Sequence, residues 1–400
     1  MTASVRQRPP AVEADVAIVG GGVIGTATAF ALRDLAPDLR VVIVEAERLA
    51  HGASGRNAGF LLLGTHADYA SAVATYGRDR ARRLWRFTSE AYRLAADFGG
   101  RREVGFAATG SVFAAGDDAE VERLRASHAL LEQDGVASEV VERGEVEART
   151  GGQGFPAALI VPDGGVIDPA RLVATLAAES GARVIERWPV AQIESEGGRT
   201  RLAGPDGGEV IASRVLVAAN ASLPRLIPAL ASVVRPVRAQ MFATAPAPLR
   251  LAAPVYSHGG YYYLRQRADG RVLVGGARHL HEADEVGYAD ATTDALQASL
   301  AAYVAEHFPD FAGLAVERRW SGTMGFSPDG LPALGNVPGV PGAHFAAGFT
   351  GHGMGYALRF GRLAARVMVG ESDPAADLFD ARRFGPDGQP GPLAADVRAA

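Results

Sequence analysis

The sequence predicts an α/β fold: a parallel sheet wound with helices, joined to a second α+β unit built on an antiparallel sheet. Three observations predict it. Asp15 to Glu45 reads as strand, glycine turn, helix, strand and acid. In the middle of the chain, short strands broken by glycine pairs end in a buried apolar run, Arg214 to Asn220. After Arg235 the character changes, and a tyrosine-bearing hairpin follows.

The first unit comes first in the chain. Val16 to Val19 is an apolar run of the kind found in buried parallel strands. The chain turns through Gly20-Gly21-Gly22, takes helical spacing from Val23 to about Leu35, and stops before Pro37. A second apolar run, Val41 to Val44, ends on Glu45. Gly20 permits a sharp turn, Gly22 lets the backbone approach a pyrophosphate, and Gly25 lets the helix pack on the strand. Val23 and Ile24 open a helix whose first N–H groups and positive dipole end favour phosphate. Glu45, 20 residues after Gly25 and followed by Ala46, stands where a carboxylate accepts hydrogen bonds from ribose hydroxyls. The arrangement is a Rossmann-like dinucleotide site. A glycine-rich turn in some other α/β protein leaves the position of Glu45 to chance.

Composition bounds the rest. The chain has 400 residues, enough for more than one domain, and a net charge of −5 with no basic block, which argues against a nucleic-acid partner. It has no cysteine, which excludes disulfides, thiolate metal sites and thioether links to a cofactor and fits a cytoplasmic setting. All 40 basic residues are arginine, so lysine Schiff-base chemistry is excluded; biased coding composition accounts for the same fact. Met1 to Pro10 has no apolar core for a signal peptide. Val16 to Leu32 is uncharged but belongs to the glycine-turn unit, and no membrane span is expected.

After Glu45, the small residues of Arg48 to Phe60 allow close approach to a ligand. Ser54, Gly55, Arg56, Asn57, Ala58 and Gly59 are the expected cofactor contacts, with a plain surface loop as the alternative. Tyr69 to Phe98 reads as a helix, Phe106 to Ala114 as a strand, and Asp118 to Asp134 as a helix ended by Gly135. Asp168-Pro169 marks a helix start that runs to about Gly181. Glycine pairs at Gly197-Gly198 and Pro205 to Gly208 break the strands that follow. Val255 to Leu264 and Arg271 to Gly275 form a hairpin around Ala268-Asp269-Gly270. Thr292 to Phe308 is helical, a glycine-rich stretch from Trp320 becomes helical from about Gly355, and a mobile tail follows Phe384. No internal repeat is present.

Several stretches together resemble the FAD-dependent amine and amino-acid oxidases of the D-amino-acid oxidase, glycine oxidase and sarcosine oxidase type. They are the opening fingerprint, Gly52 to Gly59, Val217 to Ser222, Gly275 to Arg278, Trp320 to Pro332 and Gly348 to Gly355, in the family's order. The Ala-Asn-Ala variant at Ala219 to Ala221, followed by Val237 to Met241, looks most like the γ-glutamylputrescine oxidase-like branch. The resemblance implies a two-dinucleotide-binding-type FAD domain, Rossmann-like with a β-meander, roofed by an antiparallel sheet that forms the substrate pocket. The implied division is 12–96, 163–234 and 322–380 for the FAD unit, 97–162 and 235–321 for the substrate unit, and 381–400 for the tail. Val190, Ala219, Asn220, Gly322, Gly348, Thr350, Gly351, His352, Gly353 and Met354 join the expected FAD contacts.

The departures are informative. Gly355 and Met324 stand where relatives carry a carboxylate-holding Lys and Arg, Arg56 stands where some carry a flavin-linked His, and the oxygen-activating Lys has no counterpart. Noncovalent FAD is implied. The substrate is either an amine without an α-carboxylate or an acid held by another Arg. Hydride transfer to flavin N5 from a carbon bearing nitrogen needs positioning more than a strong base. The imine product hydrolyses, and dioxygen is the expected acceptor, giving peroxide. A dehydrogenase using another acceptor and a noncatalytic flavin subunit are the alternatives. The expected catalytic residues are His352, Tyr261, Tyr263 and Arg278. Tyr261 and Tyr263 share a strand face. Arg278 is a carboxylate holder or a structural ion-pair partner. His258 and His51 are further candidates for the pocket and the ring. The His279, His281, Glu282 string reads as a solvated pair, with no metal site expected.

Overall fold

A computed structural model describes residues 11–205 and 207–385. Met1 to Pro10, Asp206 of the expected turn and all of the tail beyond Gly385 lie outside the described residues. The described residues form two eight-stranded sheets and a small two-stranded one, Phe60–Leu61 with Gly165–Val166.

The first sheet is mostly parallel. Val12–Val19 lies between Val41–Val44 and Glu209–Val217, with Val19 beside Val44 on one side and Val217 on the other. Arg183–Ile185 and Ala343–Ala347 extend it in parallel, and Ala333–Asn336 closes one edge antiparallel. The meander, Gln192–Glu196 and Arg199–Ala203, folds back antiparallel onto Glu209–Val217. Val16 to Val19 is buried on both faces, because helices cover one side and the meander layer the other. The helix after the glycine turn is Val23–Leu35, and it packs against the C-terminal helix Gly353–Val369.

The second sheet runs Val316–Phe326, Arg235–Thr244, Val272–Gly276, Tyr262–Gln266, Val255–Ser257, Ser111–Ala114, Ala157–Val161 and Glu139–Glu142. Every pair is antiparallel except Val255–Ser257 with Ser111–Ala114. A buried ion pair ties this sheet to the loop beside it: Arg238 donates to both oxygens of Glu285, which also accepts from Gln240. The expected boundary between 321 and 322 falls inside the strand Val316–Phe326.

Several elements differ from the sequence expectation, and positive-φ residues explain most of the differences. The expected helix Tyr69 to Phe98 is two, Tyr69–Tyr76 and Arg78–Gly99, because Gly77 takes φ +79°. Asp68 caps the first of them through Ser71 N–H. Phe106 to Ala114 contributes only Ser111–Ala114, since Gly110 at φ +67° turns the chain. Val255 to Leu264 is bent at His258-Gly259-Gly260, with φ of 53°, 61° and 87°, and gives two strands rather than one. Asp168 does cap its helix, Pro169–Glu179, by accepting from Ala170 and Arg171. The last helix starts at Gly353, two residues before the expected start.

The contact between the first and last long helices has no room for a side chain. A Cβ on Gly361 would lie 2.6 Å from the Cβ of Ala27. Gly361→Leu is therefore expected to lower stability by about 3 kcal/mol. Gly144→Ala, in open space on the helix Arg143–Thr150, is expected to be neutral or to stabilise by roughly 0.5 kcal/mol. Denaturant unfolding of both variants beside the parent checks the pair.

Candidate functional site

One long groove runs between the two sheets as three connected hollows. Gly20, Gly22, Glu45, Ala46, Val190, Ala219 and Asn220 line the outer one. Val23, Ile24, Ser54, Arg56, Asn57, Gly322, Gly351, Gly353 and Met354 line the middle one. Ala58, Gly59, Tyr261, Tyr263, Arg278, Thr350 and His352 line the inner one. Ser54, Asn220 and Gly322 are walls common to the outer and middle hollows, and Asn57, Tyr263 and Met354 to the middle and inner ones. Their empty volumes are about 1820, 820 and 1060 Å³, so the groove has room for an extended dinucleotide and a small substrate. The first and last glycine clusters face each other across the middle hollow.

The donor set suits a phosphate-bearing ligand. The helix Val23–Leu35 has no acid in its first turn, and its N-cap residue, Gly22, offers no side chain. The missing cap comes from Ser54, whose hydroxyl accepts the Val23 N–H at 2.9 Å. A Cβ on Gly22 would lie 2.9 Å from that oxygen. The Glu45 carboxylate accepts from Gly21 N–H at 2.7 Å and Glu47 N–H at 2.9 Å, which fixes it at the wall of the outer hollow. The last helix also opens on the groove with no acid in its first turn.

Three expected contacts do not line the groove: Gly25, Gly55 and Gly348 serve close backbone approach. A Cβ would meet Gly20 O at 2.1 Å from Gly25, Ala50 O at 2.2 Å from Gly55 and Ser327 Cβ at 2.9 Å from Gly348. Arg56 lines the groove, and its guanidinium is engaged there by other lining residues, Asp290, the Ser321 carbonyl and the His51 carbonyl. Asn57 donates to Ala53 and Ser54 carbonyls and accepts from Gly59 N–H, so it shapes its own loop. Trp320 donates its indole N–H to the Arg56 carbonyl, joining this loop to the second sheet. Asn220, at φ +41°, accepts the Gly348 N–H at 3.0 Å and so joins the return strand to the last glycine turn.

The inner hollow contains one cation and no Asp or Glu among its lining residues. That cation, Arg278, lies in a short turn after Val272–Gly276, with its guanidinium 5.1 Å from the Phe326 ring and 3.9 Å from Glu282. Tyr261 and Tyr263 both face the hollow, while Tyr262 stacks on Tyr303 in the core at 4.1 Å. Room for two rings is made by glycines: a Cβ on Gly275 would strike Tyr263 at 2.4 Å, and one on Gly260 would strike Tyr256 at 2.1 Å. Burial pushes the Tyr263 phenol up to about 12 and the Tyr256 phenol higher still. It pushes the His352 imidazole down to about 3 and lowers His66, whose Nδ1 is buried with no partner among the described residues. These rings are therefore neutral.

His66, Tyr256, Ala239, Met241 and Phe326 also line the middle or inner hollow and were not singled out as site residues by sequence, and Met324, noted there in place of an Arg, lines both. Period-two spacing along Arg235–Thr244 puts Ala239 and Met241 on one face, so that pair was detectable. His66 lies in a loop between distant elements and gave no local signal. Four candidate histidines lie outside the inner hollow. His258 turns into the core against Tyr303 and His307, His51 lies in the outer hollow, and His279 packs on Tyr261 while His281 meets Ser299 in and beside a turn. Among the described residues, no group of three or more His, Cys, Asp and Glu is placed to hold a metal, and no helix is long and apolar enough to cross a membrane.

Comparison with known proteins agrees with this architecture. The family model described as FAD dependent oxidoreductase matches residues 15–367. The chain is 29% identical to a probable oxidoreductase, OrdL, of Rhizobium meliloti (strain 1021), covering 91% of this chain and 85% of that protein. It is 28% identical to the gamma-glutamylputrescine oxidoreductase of Escherichia coli (strain K12), covering 92% and 85%. Its fold matches the crystal structure of glycine oxidase from Geobacillus kaustophilus with a TM-score of 0.77 at 25% identity, over 94% of this chain and all of that one.

Two outcomes are expected. Glu45→Arg places a cation beside the glycine turn, and flavin content after purification should fall at least about tenfold; unchanged content counts against a role for Glu45. The pH dependence concerns the buried histidines. With folded pKa values depressed below the ordinary 6.5, His352, His66 and His258 bind protons better when unfolded. Their contribution to stability is complete above about pH 6.5 and is lost as pH falls below it, for His352 toward about 3. Denaturant midpoints at pH 7 and pH 5 should differ less in His352→Gln than in the parent.

Proposed function

The chain belongs to the FAD-dependent oxidoreductase family, and on that premise we propose that it oxidises the C–N bond of a carboxylate-bearing amine or amino acid, with FAD held noncovalently in the groove. One observation carries the substrate class. The inner hollow is lined by Arg278 and by no acidic residue, so it offers a guanidinium with nothing inside the hollow to pair with it.

Each part of the chain has a task under this reading. The turn Gly20 to Gly25 and the helix behind it hold the pyrophosphate, and Glu45 holds the ribose. Asn220, Gly322 and residues Thr350 to Met354 border the ring end. The FAD-binding and substrate-binding segments keep the expected division, except that the strand Val316–Phe326 belongs whole to the second sheet, which forms the roof. The absence of cysteine and the engagement of the Arg56 guanidinium support noncovalent binding. Bound FAD supplies the hydride acceptor for the substrate carbon that bears nitrogen. Arg278 fixes the carboxylate by a bidentate pair, which sets where the C–H bond points. The neutral imidazoles of His352 and His66 accept N–H hydrogen bonds from the substrate amine. Tyr256, Tyr261 and Tyr263 wall off water and shape the apolar part of the pocket. The released imine hydrolyses in solution.

Dioxygen, giving hydrogen peroxide, is the proposed electron acceptor. A dehydrogenase reading is favoured by one fact: the chain has no lysine, the residue to which oxygen activation is assigned in similar oxidases. Anaerobic mixing of the holoenzyme with amines, D- and L-amino acids and N-methyl amino acids tests the proposal by loss of flavin absorbance. Bleaching by a carboxylate-bearing amine is expected; bleaching by none of them leaves a noncatalytic flavin protein. Repeating the reaction in air while following peroxide separates oxidase from dehydrogenase. Arg278→Met should raise KM for carboxylate substrates by about 10- to 100-fold and spare plain amines. An equal effect on both classes assigns Arg278 a structural role.

A further inference from the structure

A second hollow lies behind the substrate pocket and shares no lining residue with the groove. It sits where the hairpin of the second sheet meets the start of the helix Pro169–Glu179. Arg265 forms part of its wall. This residue is 7% exposed and lies two positions along the same strand face from Tyr263. Among the described residues its guanidinium makes no hydrogen bond or ion pair, and its Nε is buried with no partner.

An unpaired buried guanidinium is costly, and proteins rarely leave one without a reason. Arg238, the other buried arginine among the described residues, is matched to Glu285, and the half-buried Arg383 and Arg359 are matched to Asp329 and Asp373. The acids nearest Arg265 are already engaged. Asp168 caps its helix, and Asp269 pairs with Arg267 and Arg271. Burial lowers the Arg265 pKa to about 10, which leaves it charged at neutral pH. Four arginines (Arg171, Arg250, Arg265 and Arg267) and two acids (Asp168 and Asp269) line the hollow, four positive charges against two negative, and Leu249, 64% exposed, gives it an apolar lip.

We propose that this hollow is a binding site for a small carboxylate or phosphate anion, which Arg265 grips with its guanidinium fork, separate from the substrate pocket. The planar fork matches either oxyanion, and Arg265 stands recessed in the wall of the hollow at 7% exposure. An anion bound there sits against the strand that carries Tyr263.

Thermal unfolding of the flavin-loaded protein tests this, with inorganic phosphate and succinate as separate probes and sodium chloride holding ionic strength constant. Either probe is expected to raise Tm by about 2 °C when saturating. The shift should vanish in Arg265→Met and persist in Arg278→Met. A response to phosphate alone identifies a phosphate site, and one to succinate alone a carboxylate site. If Arg265→Met does not fold, Arg265→Lys serves, keeping the charge but losing the fork; a reduced shift supports the site and an unchanged one overturns it. No response to either probe, or a response lost in Arg278→Met instead, overturns the proposal. So does an anion-independent change in oligomeric mass on Arg265→Met, which would assign the arginine to a protein partner.

Discussion

Backbone surfaces that touch with no side chain between them hold the groove together. Gly25 lies over the carbonyl of Gly20, and Gly20 lies against the carbonyl of Ala218 at the end of the return strand. Gly361 seats the last helix directly on Ala27 of the first. Any Cβ at these points would approach a backbone or Cβ atom more closely than packing allows. Because these contacts are short, two helices more than 300 residues apart in sequence open on one cavity. Neither carries an acid in its first turn, so the positive ends of both face the groove uncompensated.

Hydrogen bonds between distant segments complete this frame. Asn220 joins the return strand to the last glycine turn, and Trp320 joins the second sheet to the loop at Arg56. The buried charges follow the same logic. Glu285 receives Arg238 and Gln240 together, and Asp329 receives Arg383 while also accepting from Leu331 N–H, so the S-P-D-G-L-P stretch has a structural explanation. Against this background of matched ions, Arg278 and Arg265 stand out: each faces a cavity, Arg278 meets only the exposed Glu282 at 3.9 Å, and Arg265 has no hydrogen-bond or ion-pair partner among the described residues. Burial also removes charge from the site, since it holds His66, His352, Tyr256 and Tyr263 neutral. What remains is an aromatic chamber with a single positive group and several hydrogen-bonding rings.

Most of the first unit was legible because its signals are local. The run Val16 to Val19, the glycine turn, the helix to Leu35 and the cap at Asp168 each depend on neighbours a few residues away. Errors arose where a positive-φ residue interrupted an otherwise regular pattern. Gly77 sits within helical spacing and Gly259-Gly260 within strand spacing, and composition there does not say whether the chain continues or turns. Side-chain roles were harder still. Ser54 and Arg56 look alike as polar donors in one loop, yet one caps a helix and the other braces a strand.

The sequence alone determined the parallel unit, its glycine turn with Glu45, the kinship with flavin-dependent amine oxidases and the absence of lysine and cysteine chemistry. Those follow from residue type and short-range spacing, which a single chain displays directly. Only the tertiary structure decided which glycines line the groove and which merely permit contact, that Tyr261 and Tyr263 share a chamber with His66 and Tyr256, and that Arg265 is left without a partner. Such facts depend on which atoms remain unmatched after distant segments have packed, and no local pattern records that.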